Sequence, residues 1–257
     1  MRHGDRLQRL GTTIEHLSRH WELQHSAAVA HPELSPRTSQ GFTVAISREA
    51  GTPDQQVAQE LGKRLGWQVY DHELLERIAQ DMGVRATLLE SVDERQQSWL
   101  LECVEAFLSA PEKSEWGRLV TESAYVRHLV ETVLALGIHG ECVIVGRGAT
   151  FLLPKETTLR VRLVAPVKER IATLSRQLGI SEKEAAGKIR TMDRERNDFV
   201  RDHFLKDPTD ATQFDIVVNA GRWPTTTVTA LIVDALHHLE ALAVEKGSFG
   251  LVHEAPH

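Results

Sequence analysis

Arginines flanked by glycine carry the most specific chemistry in this sequence. Arg147 lies in Val145-Gly146-Arg147-Gly148-Ala149, directly after the apolar run Cys142–Val145. The two glycines let the backbone turn sharply and clear room for a ligand. A guanidinium held there can grip a phosphate with two parallel hydrogen bonds. The competing reading is a structural ion pair across strand ends, and the glycines on both sides favour phosphate. A second concentration of cations runs from Arg190 through Arg194 to Arg196, with Arg201 and His203 beyond. Arginines carried on a helix can neutralise charge on a transferring phosphoryl group, or they can pair locally with Asp193 and Glu195 on a solvated face. Asp71, after Tyr70, can orient a hydroxyl or a metal-bound water, or it can cap the helix that begins at His72.

A third stretch has the layout of an anion cradle. Residues 42–58 begin with the apolar Phe42 to Ile46, turn through Ser47-Arg48-Glu49-Ala50-Gly51-Thr52, and enter a helix-period pattern at Val57, Leu61 and Leu65. Strand, tight loop and helix N-terminus present backbone N–H groups to a phosphate. Yet no Gly-x-x-x-x-Gly-Lys-Ser/Thr string is present, and Gly51 is the loop's one glycine. Pro53 has no N–H to donate. Asp54 stands where a cation would be wanted.

Elements that could position these groups alternate along the chain. Short apolar runs at 42–46, 67–70, 142–145, 159–164 and 214–219 read as strands. Helix-period segments at 54–65, 119–136, 167–178, 181–192, 193–205 and 224–244 separate them, with mostly helical patterning over 72–137. Gly66 and Gly137 are the expected stops of their helices, and Ser181 to Glu184 has the order of a capping box. Such alternation predicts an α/β fold with a parallel sheet, whose ligands sit at the carboxyl ends of the strands. Those ends are Ser47-Arg48, Asp71, Gly146-Arg147, Ala165 and Asn219. Ahead of the sheet, an N-terminal segment 1–25 carries an apolar stripe at Leu7, Leu10, Ile14, Leu17 and Trp21, read as one helix over 5–24. It either docks on the body of the chain or forms the seam of a homodimer. About two heptads are too few for an independent coiled coil, which favours docking. A linker with Pro32, Ser35, Pro36 and Ser39 spans 26–41, and 246–257 reads as a frayed tail.

Composition bounds the function classes. Of 257 residues 41% are hydrophobic and 26% charged, ample for a sizeable core. The net charge of −6, with no basic run, argues against a dedicated nucleic-acid binder. The two cysteines, Cys103 and Cys142, have no metal-ligand spacing. The thirteen histidines are scattered, and the adjacent pair His237-His238 points in two directions on a helix. No uninterrupted apolar run reaches membrane length, so a cytoplasmic protein without a membrane partner is expected.

These blocks together resemble the cytidylate kinase-like proteins, a branch of the nucleoside monophosphate kinases within the P-loop NTPases. The carriers are Ala-Ile-Ser-Arg-Glu-Ala-Gly (45–51), Leu-Gly-Trp-Gln-Val-Tyr-Asp-His-Glu-Leu-Leu (65–75), Val-Ile-Val-Gly-Arg-Gly-Ala (143–149), Val-Arg-Leu-Val-Ala-Pro-Val-Lys-Glu-Arg-Ile (161–171), Lys-Ile-Arg-Thr-Met-Asp-Arg-Glu-Arg (188–196) and Phe-Asp-Ile-Val-Val-Asn (214–219). The resemblance implies a P-loop NTPase-type three-layer α/β sandwich on a five-stranded parallel sheet, within a domain spanning 42–245. It implies a helical monophosphate-binding insertion over 72–137 and a lid over 181–206. It implies ATP-dependent phosphorylation of a nucleoside monophosphate or a similar small phosphorylated acceptor, with ATP and Mg²⁺ as cofactors. In that reading Ser47, Arg48, Gly51 and Thr52 face the donor phosphates, and Asn219 lies near the donor base. Asp71, Arg147 and Arg170 serve the acceptor. Arg147, Arg190 and Arg196 close over the transferring group.

This chain departs from the family pattern where the donor phosphates would sit. The branch reads Gly-Ser-Gly-Gly-Arg where Gly51-Thr52-Pro53-Asp54-Gln55 stands, and true cytidylate kinases have Gly-Lys-Gly-Thr nearby. The lysine is missing, and no aspartate at the end of Val143–Gly146 can hold magnesium through water. A repelling Asp54 should weaken triphosphate binding by several kcal/mol, on the order of one close charge pair in a low dielectric. Arg48 is the expected substitute cation. The alternative function is a catalytically impaired nucleotide sensor or interaction protein that keeps the kinase fold. A purely structural protein joined through the N-terminal stripe is a third reading.

Overall fold

The computed structural model describes residues 41–92, 94–108 and 119–250. The expected N-terminal helix, the break at Pro111 to Ser114 and the last seven residues of the expected tail lie outside them. Contacts divide the chain into two compact units, one of residues 42–71 with 141–250 and one of residues 72–140.

The first unit is built on a sheet of five parallel strands: β1 (Thr43–Arg48), β2 (Gln68–Tyr70), β3 (Cys142–Val145), β4 (Thr158–Val164) and β5 (Ile216–Asn219), in the order β2-β3-β1-β4-β5. This is the α/β architecture with a five-stranded parallel sheet that the sequence predicts. β1, β3 and β4 are buried over most of their length, as parallel strands covered on both faces must be. β1 is central, with β3 on one side and β4 on the other. The chain order reverses across it, which opens a crevice at its carboxyl end.

Helix α1 (Asp54–Leu65) follows β1 within the bounds that the apolar spacing predicts, and ends at Gly66 with φ +71°. Val57, Ala58 and Leu61 of α1 pack on the sheet beside Val228, Ile232 and Leu236 of the last long helix, Thr225–Gly250. That helix continues past residue 244, into what reads from sequence as the frayed tail. Its stretch Thr225–Glu245 is long and apolar enough to cross a bilayer by length and composition. Apolar residues there are interspersed with polar ones, so it shows no unbroken run in the sequence. The wholly buried positions Val228, Ile232 and Leu236 commit one face to the sheet.

The second unit, over 72–140, holds α2 (His72–Gln80), α3 (Met82–Glu90), α4 (Glu94–Leu108) and α5 (Leu119–His139). Asp81 caps α3 by accepting from the N–H groups of Gly83 and Val84. α5 runs through Gly137, the expected stop, and the chain turns instead at Gly140, φ +66°. Glycine inside a helix costs only about 1 kcal/mol. The left-handed turn falls where a Cβ would strike the Gly41 backbone. Glu131, nearly sealed on α5, accepts from Arg127 at 2.9 Å and lies 3.8 Å from Arg85. His128 beside them has its pKa lowered, first by burial and then by the Arg85 charge.

Three further helices complete the sheet unit in chain order: α6 (Ala149–Leu152), α7 (Val167–Leu178) and α8 (Glu182–Phe204); the Thr225–Gly250 helix is α9. α7 has the bounds expected from its spacing. α8 differs: the segments expected as two helices, 181–192 and 193–205, are one continuous helix. The Ser181–Glu184 capping box starts it. The charged run Asp193-Arg194-Glu195-Arg196 contains neither Gly nor Pro, so nothing there terminates a helix. α7 and α8 share a small core of Leu174, Ala185 and Ile189, into which Ala50 of the β1–α1 loop is inserted.

Candidate functional site

The carboxyl ends of β1, β3 and β4 gather the charged side chains. β1 brings Ser47, Arg48 and Glu49 out of the sheet in sequence. Gly51 then turns the chain with φ +82°, against the carbonyl of Arg170, which would lie 2.6 Å from a Cβ at this position. Thr52 is buried and donates its hydroxyl to Glu49 O at 2.8 Å, holding the loop tight. Pro53 is the N-cap of α1 and offers no side-chain acceptor to it.

Asp54, expected to repel anions from this loop, is neutralised within the protein. Arg48 Nε donates to Asp54 Oδ2 at 3.0 Å, with side-chain exposures of 7% and 20%. The Arg48 guanidinium lies against Gly146, where a Cβ would collide with Nη1. A glycine is required there both for that approach and for φ +84°. Arg147 follows at φ +50° and Gly148 at φ +74°, three successive residues in the left-handed region. Non-glycine residues adopt it at a cost of roughly 1–2 kcal/mol, so Arg147 is held in a strained turn.

The second half of α8 lies over this turn. Arg147 stacks on the ring of Phe199 at 5.6 Å, and Gly148 is in contact with the ring of Phe204. Phe204 continues to Phe151 and then Phe214, which carries Arg162 on its face at 5.5 Å. Arg196, one turn before Phe199, directs Nη1 to the carbonyl of Arg48 at 3.4 Å. Its pKa is pushed down to about 10, first by burial, then by Arg48, with Arg147 adding to the repulsion and Asp54 and Asp193 opposing it. Arg48, Arg147 and Arg196 therefore form one electrostatic group.

Arg170, which the resemblance assigns to the acceptor, commits its Nε and Nη1 donors to the protein. It donates to Ala165 O at 3.1 Å, Ala50 O at 3.2 Å and Asp193 Oδ2 at 2.6 Å, and lies 3.4 Å from Glu49. Asp193 Oδ1 accepts from the Ala50 N–H at 2.7 Å. Arg170 and Asp193 thus brace the β1–α1 loop to α7 and α8. Ser47 accepts from Arg162 at 3.2 Å. Arg162 has its pKa lowered by burial against the pull of Glu49, Asp193 and Asp207. Arg190 is exposed on α8 and is not among the charges acting on Arg196. Asp71 directly follows β2 and precedes α2. Asn219 ends β5, and its side chain accepts from Gly221 N–H at 3.2 Å.

A cavity of about 270 Å³ opens beside the loop, lined by Gly51, Pro53, Arg170, Thr173, Ala220 and Gly221 among others. It adjoins the Asn219 turn. Residues that the sequence reading passed over include Glu49, Arg162, Phe199 and Phe204, and the pairing of Asp54 with Arg48. Arg160 and Arg162, two charges within an otherwise apolar strand, were the available signal for Arg162.

A central β1, a tight loop into α1 and a cation-lined crevice at the strand ends define a protein of the nucleotide kinase-like class. The model of the cytidylate kinase-like family matches residues 43–222, and the chain belongs to that family. It is similar to the cytidylate kinase of Pyrococcus horikoshii, 29% identical over 101 residues, covering 39% of this chain and 52% of that protein. It is likewise similar to the cytidylate kinase of Thermococcus kodakarensis, 31% identical over 101 residues, 38% of this chain and 52% of that one. The chain spans about half the length of these curated relatives. Among solved structures, an uncharacterized protein from Eubacterium ventriosum shares the fold, with a TM-score of 0.59 and 21% identity over 77% of this chain and 98% of that one.

Proposed function

We propose that this protein is an ATP-dependent phosphotransferase acting on a nucleoside monophosphate or a similar small phosphorylated acceptor. The observation that carries the proposal is the convergence of Arg48, Arg147 and Arg196 from a strand end, a glycine turn and a helix. Like charges driven together in a half-buried place repel one another, as the lowered pKa of Arg196 records, and a phosphate between them would offset that repulsion. Family membership supports the same reading.

In this mechanism Arg147 holds the acceptor's phosphate with its fork of N–H donors. An oxygen of that phosphate attacks the terminal phosphorus of the donor, and ADP departs. Arg48 takes the place of the missing loop lysine at the donor phosphates. Arg196 spans donor and acceptor, where negative charge is shared as the phosphoryl group passes. The cavity beside Gly51 and Gly221 takes the donor base, with Asn219 shaping its rim. Gly51 and Thr52 keep the loop closed under the phosphates, and Ser47 orients Arg162 behind it. Asp71 orients the acceptor. Arg170 acts by fixing the loop. Arg190 joins only in a nucleotide-bound arrangement that moves α8. Magnesium would enter with the donor, held chiefly by phosphate oxygens and water. Among the described residues no three ligating side chains gather for a metal. The roles of 72–137 as acceptor-reading insertion and of α8 as lid belong to the same proposal, as does a cytoplasmic setting.

A panel of nucleoside monophosphates in a coupled ADP-release assay with Mg²⁺ and ATP tests this. Turnover with at least one acceptor is expected, lost in Arg147→Ala with the fold retained. No turnover with any acceptor overturns the enzyme. One observation favours a second reading, a nucleotide sensor: the Arg48–Asp54 pair occupies the loop cation. A thermal shift with CMP, none with ATP and no turnover would support it.

A further inference from the structure

The Arg48–Asp54 pair ties the end of β1 to the first residue of α1. Asp54 is the first residue of α1, where the loop becomes helix, and keeps 20% of its side chain exposed. Arg48 is almost sealed and is pressed against the Gly146 turn. A carboxylate on a guanidinium presents its oxygens much as a phosphate does. The neighbouring means of binding an anion are few. Pro53 contributes no N–H, and Gly51 is used in turning the chain onto Arg170. Side-chain cations therefore add to the N–H groups of the α1 N-terminus at this loop, and Arg48 among them carries the Asp54 carboxylate.

Charge accounting around the turn points the same way. Arg48, Arg147, Arg162, Arg170 and Arg196 are set against Glu49, Asp54, Asp193 and Asp207, the last of which accepts from the Thr209 N–H. Asp193 is committed to Arg170 and the Ala50 N–H, and Glu49 accepts from the Ala165 N–H and lies beside Arg170. Asp54 is thus the carboxylate nearest the Arg48, Arg147 and Arg196 group that is not also tied to backbone N–H groups in the pairs described. It is the more exposed member of its pair with Arg48.

We propose that Asp54 is an internal competitor for phosphate at Arg48, an anionic plug that the polyphosphate of a donor must displace before the loop can bind it. This rests on the nucleotide-binding reading above and adds a built-in restraint to it. The plug lowers affinity for free polyphosphate and sets a threshold: a ligand that also fills the cavity beside Gly221 gains contacts enough to open the pair, and a bare phosphate does not.

The test measures binding of inorganic tripolyphosphate to the full chain by calorimetry, without turnover. Asp54→Asn keeps the shape of the side chain and an oxygen facing Arg48 but removes the charge. Kd should tighten about tenfold, the order expected for deleting one repelling charge beside phosphate in a half-open site. Arg48→Met should weaken binding in either background and abolish the gain from Asp54→Asn. Asp54→Ser, a second variant compatible with a helix start, should reproduce the gain. An unchanged or weaker Kd in both Asp54 variants, with cooperative unfolding retained, overturns the plug, as does a gain that survives Arg48→Met. Absence of binding in the parent and in every variant also overturns it. The enzyme reading fails separately: a tenfold gain with no turnover on any monophosphate leaves the plug standing and removes the kinase.

Discussion

Asp193→Ala should be among the most damaging single changes in the sheet unit. The carboxylate takes the Ala50 N–H on one oxygen at 2.7 Å and Arg170 Nη1 on the other at 2.6 Å. Each is a charge-assisted hydrogen bond, worth about 1.5–3 kcal/mol. Arg170 is only 7% exposed, so removal of its closest anion leaves a buried cation. It is not left bare, because Glu49 lies 3.4 Å away and the carbonyls of Ala50 and Ala165 still accept from it. Breaking one partner of a buried pair costs about 3–5 kcal/mol. The surviving contacts place this case near the lower bound, about 3 kcal/mol. At about 2–4 °C per kcal/mol for a chain of this size, Tm should fall by roughly 6–12 °C. Asp193→Asn keeps an acceptor for Ala50 and loses the charge on Arg170, so about half the loss is expected. Urea unfolding at constant slope, with calorimetry, reads both variants. A loss under about 1 kcal/mol in Asp193→Ala would refute the assignment of Asp193 and Arg170 as the brace of the loop.

Other outcomes follow from the same geometry. Arg196→Met should raise the stability of the ligand-free protein by about 1–2 kcal/mol, because burial and the repulsion of Arg48 and Arg147 penalise that charge, while polyphosphate binding measured by calorimetry should be lost. Gly148→Ala should cost about 2–4 kcal/mol in urea unfolding, from a left-handed backbone combined with a Cβ against the Phe204 ring. Burial pushes the Cys142 thiol up to about 12, with a Thr43 hydrogen bond partly opposing it. A free thiol in the unfolded chain ionises lower, so the unfolded state sheds its proton first. Stability from this group is complete below the unfolded thiol's range and is lost as pH rises from there toward 12. Burial also raises Tyr70, which acts in the same direction. Cys142→Ala should flatten the alkaline slope of Tm between about pH 9 and 11.

What was legible in the sequence follows from how local each signal is. β3 and the helices α1 and α7 were readable to the residue, because four apolar residues between turn signals, or an i, i+3, i+4 stripe after a proline, encode their own limits. β1 runs two residues past its expected end and β4 starts one earlier: Ser47, Arg48 and Thr158 are polar, yet their backbones extend the ladder between β1 and β4. The charge pattern at 193 suggests a boundary in α8 that the structure does not have, because charge alone does not end a helix. Arg147 was visible because its glycines are adjacent to it. The Arg48–Asp54 pair was not, since it depends on the path of a loop that folds back six residues later. Arg170 showed the opposite difficulty. Its position matched a ligand-binding arginine, but whether its donors reach solvent is decided by Asp193, twenty-three residues onward.

The continuity of α8 has a mechanical consequence. Asp193, its tie to the loop, stands at the midpoint between Glu182 and Phe204. At 1.5 Å per residue the helix is a beam with two arms of roughly 16 Å each, pivoted on that carboxylate. A tilt of about 10° would shift the two ends by roughly 3 Å in opposite directions. Phe204 rests on Gly148 at one end and Ala185 and Ile189 pack on α7 at the other, so a tilt would work against the glycine turn and the α7 core at once. Had the helix been broken at 193, as the charge pattern suggested, the fulcrum would be a joint and that tilt would be absorbed.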